Sequence, residues 1–264
     1  MTYKCLLYGV QDRIATLTLN RPERLNALGD TLREDLLDAV ARAAADPNVG
    51  VLVITGAGRG FCSGGDVKSM SERGRTGEAP PPTEQFAPIR DRIIVAMRDC
   101  LKPIIAAVNG AAAGAGMNLA LACDMRIASS AAKFSQAFVK RGLHPDWGGT
   151  YFLPRVVGTA KACELIFTGD TIDAAQALEL GIVNAVVAPE ALLPETCKLA
   201  RKIAAGPPVA IQLAKRAIYH NQEVDLRAAL EFETFAQNVT KETEDAKEGV
   251  KAFVEKRAPV FHGR

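Results

Sequence analysis

Histidine is scarce in this chain of 264 residues: it occurs three times, at widely separated positions. Such scatter argues against a metal centre built from histidine ligands. The six cysteines form no Cys-x-x-Cys pair and no recognisable disulfide framework. They are typical of reduced thiols in a cytoplasmic protein, where they pack mostly as small apolar residues.

An excess of charge of one sign is also absent, because 32 basic residues face 30 acidic ones and the net charge is +2. No arginine or lysine stripe is present, so we expect no nucleic-acid partner. No apolar run approaches the length of a membrane span, and the first residues lack the layout of a secretory signal, so we expect no membrane association. The 48% hydrophobic content instead fits a globular protein with a large core.

Strands and helices alternate through the first two thirds of the chain. The pattern predicts a hairpin over 5–19 and strands at 51–55 and 103–108. Apolar periodicity predicts a helix over 30–45, with Asp30 as its N-cap. This alternation favours parallel β-α units, which bind ligands near the carboxyl ends of their strands.

The last third is almost entirely helical in pattern, apart from a short strand predicted at 182–187. Before it, a proline-rich stretch at 74–82 predicts a surface loop, and a helix is expected from about 83 to 100. The closing helix, predicted over 242–256, is charged and poor in apolar residues. We therefore expect it to pack against another subunit.

Two glycine-rich segments carry the strongest functional signal: Gly-Gly-Asp at 64–66 and Gly-Ala-Ala-Ala-Gly-Ala-Gly at 110–116. Each follows a β-branched run and opens into a predicted helix. Glycine lets the main chain approach a ligand closely, and a helix N-terminus presents unpaired N–H groups with partial positive charge. Two such termini that converge on one carbonyl oxygen would form an oxyanion hole, which stabilises developing negative charge.

These segments belong to a series of motifs that covers nearly the whole chain. The motifs are Leu-Asn-Arg-Pro at 19–22, Asn-Ala-Leu at 26–28, Gly-Phe-Cys-Ser-Gly-Gly-Asp at 60–66, Lys-Pro-Ile-Ile-Ala-Ala-Val-Asn-Gly at 102–110, Ala-Cys-Asp-Met-Arg-Ile-Ala at 122–128, Gly-Gly-Thr at 148–150, Phe-Thr-Gly-Asp at 167–170 and Ala-Phe-Val-Glu-Lys-Arg at 252–257. In this order they resemble the crotonase superfamily of enoyl-CoA hydratases and isomerases. They specify the superfamily much better than the reaction.

The resemblance implies an α/β fold, with a spiral of ββα units over residues 1–198. A C-terminal helical trimerisation region would follow over 199–264. Members commonly assemble as a homotrimer or as a hexamer of two trimers. The substrate would be an acyl-CoA thioester, with no metal or redox cofactor beyond the coenzyme A that the substrate carries.

The resemblance also implies roles for individual residues. Gly65 and Ala115 would donate the two oxyanion amides, although the family usually has glycine at the second position. The residues expected along the CoA path are Arg24, Ala27, Ser63, Asp66, Val67 and Lys68. Phe253 and Lys256 would reach the CoA of a neighbouring subunit. The alternatives are a solvated helix lysine for Lys68 and simple interface packing for Phe253.

The chain departs from the hydratases at the residues that activate water. Hydratases use two glutamates, whereas the corresponding positions here hold Asn118 and Phe138, and neither side chain is a general base. Asp146 offers a carboxylate nearby, at a place where several family isomerases have an aspartate. We predict Asp146 as the single acid/base of a double-bond shift, with Asn118, Phe138 and Trp147 near the substrate. Burial beside Trp147 would raise the carboxyl pKa. Alternatively, Asp146 caps the helix that follows it.

Other activities remain open at this level. They are an enoyl-CoA hydratase in which Asp146 and Asn118 hold the water, an acyl-CoA hydrolase or dehalogenase that uses Asp146, and an acyl-CoA-binding protein without catalysis. His144 is a weaker candidate as an assistant to Asp146. Cys62 is a weak nucleophile candidate, because no paired histidine is evident.

Overall fold

The computed structural model describes residues 2–66 and 88–264. Ten strands in these residues form two sheets. The strands are β1 (Leu6–Gln11), β2 (Ile14–Leu19), β3 (Val51–Gly56), β4 (Gly60–Cys62), β5 (Ile104–Val108), β6 (Ala111–Ala113), β7 (Met125–Ser129), β8 (Lys133–Ser135), β9 (Thr171–Asp173) and β10 (Ala185–Val187). The larger sheet has the order β1-β2-β3-β5-β7-β10, and the smaller has the order β4-β6-β8-β9.

Ten α-helices lie in the same residues. They are α1 (Leu32–Ala45), α2 (Ile89–Asp99), α3 (Ala115–Ala122), α4 (Gly149–Val157), α5 (Thr159–Thr168), α6 (Ala174–Glu179), α7 (Leu192–Ala204), α8 (Pro208–His220), α9 (Leu226–Lys241) and α10 (Glu244–Glu255). None of the described helices is both long and apolar enough to cross a membrane.

The topology is a spiral of repeated units. β1 and β2 form the predicted antiparallel hairpin, and every later strand of the larger sheet pairs in parallel. β3, β5 and β7 are each followed directly by a short strand of the smaller sheet, namely β4, β6 and β8. The predicted α/β fold of ββα units is therefore confirmed, and it brings the ends of β4 and β6 side by side.

The central strands are buried on both faces, which explains their continuous β-branched runs. Alternate residues of β3 face different cores, because Leu52 packs in the main cluster whereas Val53 packs in a second one. The second cluster is covered by α7 through Leu192 and Ala200. Each large aliphatic side chain buried in this way contributes about 1.5–3 kcal/mol.

Two predicted element ends are wrong. Asp30 is not the N-cap of α1: its φ is +52° and its carboxylate pairs with Lys4 at 3.0 Å, while α1 begins at Leu32. The strand expected over 182–187 begins only at Ala185, and the segment before it accepts a hydrogen bond from the side chain of Arg126. Its Nε donates to the carbonyl of Ile182 at 2.6 Å. The predicted loop at 74–82 and the start of the helix at 83–100 lie outside the described residues. Within them, α2 begins at Ile89, after Pro88, and ends at Asp99.

The predicted boundary between residues 198 and 199 falls inside α7. That helix is continuous, and residues on both sides of the boundary, Leu192 and Ala204, pack in the same apolar cluster. A division at this point would cut a helix that covers the sheet. The separation into a core and a helical assembly region stays a prediction. The helices that follow α7, and that would form the assembly region, are α8, α9 and α10.

Candidate active site

The two glycine-rich loops are in direct main-chain contact. Gly64 has φ of +93°, and a Cβ built there would lie 2.7 Å from the carbonyl oxygen of Ala113. A Cβ on Gly116 would lie 2.0 Å from the carbonyl oxygen of Cys62. Only glycine fits at either position, so the loop after β4 rests on the loop between β6 and α3.

The first loop is also tied to the segment that precedes α1. The amide of Leu28 donates to the carbonyl of Gly64 at 2.8 Å. Arg21 forms a 3.0 Å ion pair with the buried carboxylate of Asp66, and its other terminal nitrogen donates to the carbonyl of Ala27 at 2.6 Å. These bonds fix the position of the first glycine-rich loop. Asp66 and Ala27 take part in them as the two acceptors for Arg21.

The main-chain N–H groups of Gly65 and Ala115, the two predicted oxyanion donors, are available to bind a ligand. Ala115 is the first residue of α3, where a helix leaves its N–H groups unpaired. Within residues 2–66 and 88–264, the amides of Gly65 and Ala115 donate no hydrogen bond. Both residues line one cavity of about 320 Å³. The methyl group of Ala115, where the family usually has glycine, is accommodated with 4% of the residue exposed.

The cavity brings together half of the predicted site residues. They are Gly65, Ala115, Asp146, Ser63, Asp66, Phe138 and Trp147. These residues come from four separate stretches of sequence, and the spiral places them around one space. His144, the weaker candidate, lines it as well.

The carboxylate of Asp146 has few polar contacts with the described residues. Its side chain is 38% exposed, and among the described residues it pairs with Arg90, whose Nε lies 3.8 Å from Oδ2. Its Oδ1 atom is buried and accepts no hydrogen bond from the residues that the structure describes. Burial raises the pKa of Asp146 above its ordinary value, against the opposing charge of Arg90. A carboxyl group of this kind takes up and releases a proton more readily near neutral pH than an ordinary aspartate does.

The capping alternative for Asp146 does not agree with the structure. α4 is preceded by Gly148, and no side chain caps it. The contact between Asp146 and this turn uses its carbonyl oxygen, which accepts from the amide of Gly149 at 3.1 Å. The carboxylate therefore remains directed to the cavity that it lines.

Two aromatic side chains, Trp147 and Phe138, contribute apolar surface to the cavity that Asp146 lines. Trp147 is 4% exposed and has φ of +53°, a left-handed conformation that is costly for a residue of this size. Phe138 is buried, and its ring lies 3.6 Å from the place where a Cβ on Gly114 would stand. Strained backbone that persists at a cavity is frequent at functional sites.

Several predicted residues do not line the cavity. Asn118 is fully buried, and its Nδ2 donates to the carbonyl of Asp146 at 2.7 Å. Arg24 is exposed, and its carbonyl accepts from the hydroxyl of Ser63 at 3.2 Å. Phe253 and Lys256 are exposed at the end of α10, and within one chain they do not reach the site. Ala27 is likewise outside the lining, and Val67 and Lys68 lie outside the described residues.

Three arginines in the lining were missed by sequence reasoning: Arg33, Arg90 and Arg141. They lie on different elements, and no motif links them, so only the fold places them together. Cys62 is fully buried, and desolvation raises its pKa to about 12. It is therefore an uncharged thiol and not a nucleophile.

A cavity lined by two unbonded main-chain amides and one undersatisfied carboxylate agrees with the motifs, and comparison with known proteins decides the family. Residues 9–264 match the family model described as enoyl-CoA hydratase/isomerase. The chain belongs to the enoyl-CoA hydratase/isomerase family. A crystal structure of an enoyl-CoA hydratase from Bacillus anthracis has a TM-score of 0.90 and 35% identity, and the match covers 99% of this chain and 100% of that one.

Relatives in this family differ in the reactions for which they are named. The chain is 40% identical over 263 residues to the crotonyl-CoA hydratase of Syntrophomonas wolfei, covering 99% of each protein. It is also 40% identical over 259 residues to the 1,2-epoxyphenylacetyl-CoA isomerase of Escherichia coli, covering 98% of each. Membership therefore establishes an enzyme family, and the choice between hydratase and isomerase depends on the site.

Proposed function

We propose that the chain is an acyl-CoA enzyme that shifts a carbon–carbon double bond, with Asp146 as its single acid/base. The observation that carries this proposal is the arrangement around the cavity. The acidic side chains among its described lining residues are Asp66 and Asp146, and Asp66 is ion-paired with Arg21. Asp146 alone has a carboxylate oxygen without a partner beside the two unbonded amides.

The reaction requires only the movement of one proton. The carboxylate of Asp146 takes the proton from C2 of a 3-enoyl thioester, and the electron pair moves onto the thioester oxygen. The amides of Gly65 and Ala115 donate to that oxygen while it carries the charge of the dienolate. The thioester carbonyl then re-forms, and the double bond appears between C2 and C3. The electron pair of the former C3–C4 double bond takes the proton that the carboxylic acid of Asp146 delivers to C4. No metal or redox cofactor takes part in these steps.

The apolar walls support isomerisation over hydration. Phe138 occupies the position where hydratases of the family carry a glutamate, and it presents an aromatic ring to the cavity. Trp147, the next residue after Asp146, also lines the cavity. Neither ring can activate water, and burial of Asp146 raises its pKa.

The decisive test is the rate at which Asp146→Asn converts a 3-enoyl-CoA to the conjugated 2-enoyl-CoA, followed by ultraviolet absorbance. Loss of the acid/base should lower kcat by roughly 10²–10⁴-fold. Asp170→Asn is the matched control, because Asp170 is exposed and pairs with Lys140 at 3.2 Å away from the cavity lining. A wild-type rate for Asp146→Asn would overturn the assignment.

Hydration is the second candidate, supported by the names of relatives such as the crotonyl-CoA hydratase. The amide of Asn118 is already bonded to Asp146 and Gln136, which weakens its candidacy as a ligand for the attacking water. Crotonyl-CoA separates the two reactions, because a hydratase removes its conjugation and an isomerase acting on 3-enoyl-CoA does not. Hydration faster than isomerisation would favour this second candidate.

We also propose that the chain works as a homotrimer or a hexamer. The support is the exposed apolar surface of α10, where Val250, Phe253 and Val254 are 69%, 85% and 74% exposed. Surfaces of this kind mark contacts with other proteins. Light scattering of Phe253→Ser and Val254→Ser should show dissociation to smaller species. Unchanged mass would contradict a role for α10 in assembly.

A further inference from the structure

The turn that carries Asp146 is unusual in its backbone. Trp147 and Gly148 follow with φ of +53° and +74°, two successive left-handed residues. A left-handed tryptophan is strained and persists only where surrounding contacts enforce it. The turn therefore needs an external support, and one polar side chain supplies it from α3.

That support is Asn118. Its Nδ2 donates to the carbonyl of Asp146 at 2.7 Å, and its Oδ1 accepts from Nε2 of Gln136 at 2.7 Å. The orientation is determined by chemistry, because a carbonyl oxygen only accepts and so must face the Nδ2 group. Both side chains are buried, with 0% of Asn118 and 1% of Gln136 exposed.

The amide also fills the space beside the turn. A Cβ on Gly149 would lie 2.3 Å from Nδ2 of Asn118, so the side chain touches the main chain of the turn directly. Asn118 belongs to the same short buried helix whose first residue is Ala115. One rigid element thus holds an oxyanion amide at one point and the backbone of the acid at another.

We propose that Asn118, oriented by Gln136, is a positioning residue that sets the carboxylate of Asp146 relative to the amide of Ala115. This inference rests on the proposed function of Asp146. Asn118 does not line the cavity, so it acts on the reaction through the backbone of Asp146 and not through the substrate. Its position is the one where family hydratases carry a glutamate, and here it has become part of the support for a different acid.

The test compares Asn118→Leu and Gln136→Leu with the unmodified enzyme. Displacing a reacting group by about 1 Å costs roughly 10²-fold in rate, so we expect kcat to fall by 10–100-fold. The Kd for butyryl-CoA, a saturated thioester that cannot isomerise, should remain within about twofold, since neither residue contacts the cavity. Thr55→Val is the matched control, because it deletes a buried bond of 2.9 Å to the carbonyl of Ala107 outside the cavity lining.

A double-mutant comparison separates positioning from general damage. In an Asp146→Asn background, Asn118→Leu should cause no further loss of the residual rate, because the group that it positions has been removed. Additive losses, or a loss of butyryl-CoA binding equal to the loss of kcat, would overturn the proposal and indicate a structural role. If Asp146→Asn alone keeps the wild-type rate, the proposed function fails first. If it loses activity but Asn118→Leu does not, only the positioning role fails.

Discussion

Two aspartates in this protein show how the same side chain is used for structure and for chemistry. Asp124, just before β7, is bonded on both carboxylate oxygens: Tyr219 donates at 2.5 Å, Lys215 lies at 2.8 Å and the amide of Ile104 donates at 2.6 Å. Within the described parts of the chain, Asp146 has one cation, at 3.8 Å, and one buried oxygen without a partner.

The difference lies in what each carboxylate connects. Asp124 joins α8 to the start of β5, because Lys215 and Tyr219 lie on α8. The carboxylate of Asp146 makes only the long ion pair with Arg90 among the described residues, and its contacts to α3 and α4 are made by its carbonyl oxygen. A buried polar group that is fully bonded stabilises the fold, whereas one left unbonded beside a cavity is free to react.

The largest effect should follow from removing Asp124. Asp124→Leu leaves the ammonium of Lys215, whose side chain is 7% exposed, without its counter-ion. Breaking a buried pair in this way costs about 3–5 kcal/mol, so the free energy of unfolding in urea should fall by that amount. The double variant Asp124→Leu with Lys215→Met should recover much of it. Equal losses in both variants would contradict the ion-pair explanation.

The comparison extends to main-chain groups, because the amide of Ala115 is also unbonded beside the cavity. Ala115→Pro removes that N–H at the first position of α3, where proline is tolerated. Loss of one oxyanion donor should lower kcat by roughly 10²–10³-fold. Ala115→Gly keeps the amide and should keep the rate. A Pro variant that folds normally, as judged by circular dichroism, and retains its activity would exclude this amide from the site.

Much of the fold was predictable because its signals are local. β2, β3 and β5 coincide with segments rich in β-branched residues, which suit the burial of β3 and β5 on both faces. The short strands β4, β6 and β9 have three residues each, which is too few for a periodic signal. Asp30 failed as an N-cap because Lys4, distant in sequence, holds its carboxylate.

The candidate site was predictable in part for a different reason. Gly65, Ala115 and Asp146 belong to sequence motifs, so they could be found from the sequence alone. Arg90 and Gln136 stand in no motif, and they matter only because the spiral brings them to Asp146 and Asn118. The role of Asn118 depends on which atom its amide faces, and a sequence pattern does not contain that information.

Asp146→Asn should change the stability of the protein less than Asp124→Leu does, and in the opposite direction. It should make the protein more stable at neutral pH. The folded pKa of Asp146 is raised, so the unfolded chain ionises first as the pH rises from about 3.8. The contribution of this group to stability is therefore complete below that pH and is lost as the pH rises through the raised folded pKa. Asp146→Asn should match the Tm of the unmodified enzyme at low pH and exceed it at pH 7. A lower Tm at pH 7 would contradict the contrast with Asp124.

The smallest effect tests how Arg90 tunes the acid. Its positive charge lowers the pKa of Asp146 against burial, while Asp91 acts in the raising direction and His144 in the lowering direction. Because Asp146 must be ionised to accept the first proton, kcat/KM should rise with pH through the pKa of the free enzyme. Arg90→Gln removes the opposing charge, so this rise should move to higher pH, and the displacement should shrink in high salt.

Arg90→Lys keeps the charge and should leave the profile close to that of the unmodified enzyme. Arg90 also lines the cavity, so a change in KM without any displacement of the profile would assign it to substrate binding. A displacement to lower pH would mean that another group, and not Asp146, limits the rate in acid. A cavity carboxylate with one buried oxygen unbonded among the described residues is thus also one whose chemistry a single neighbouring charge should be able to adjust.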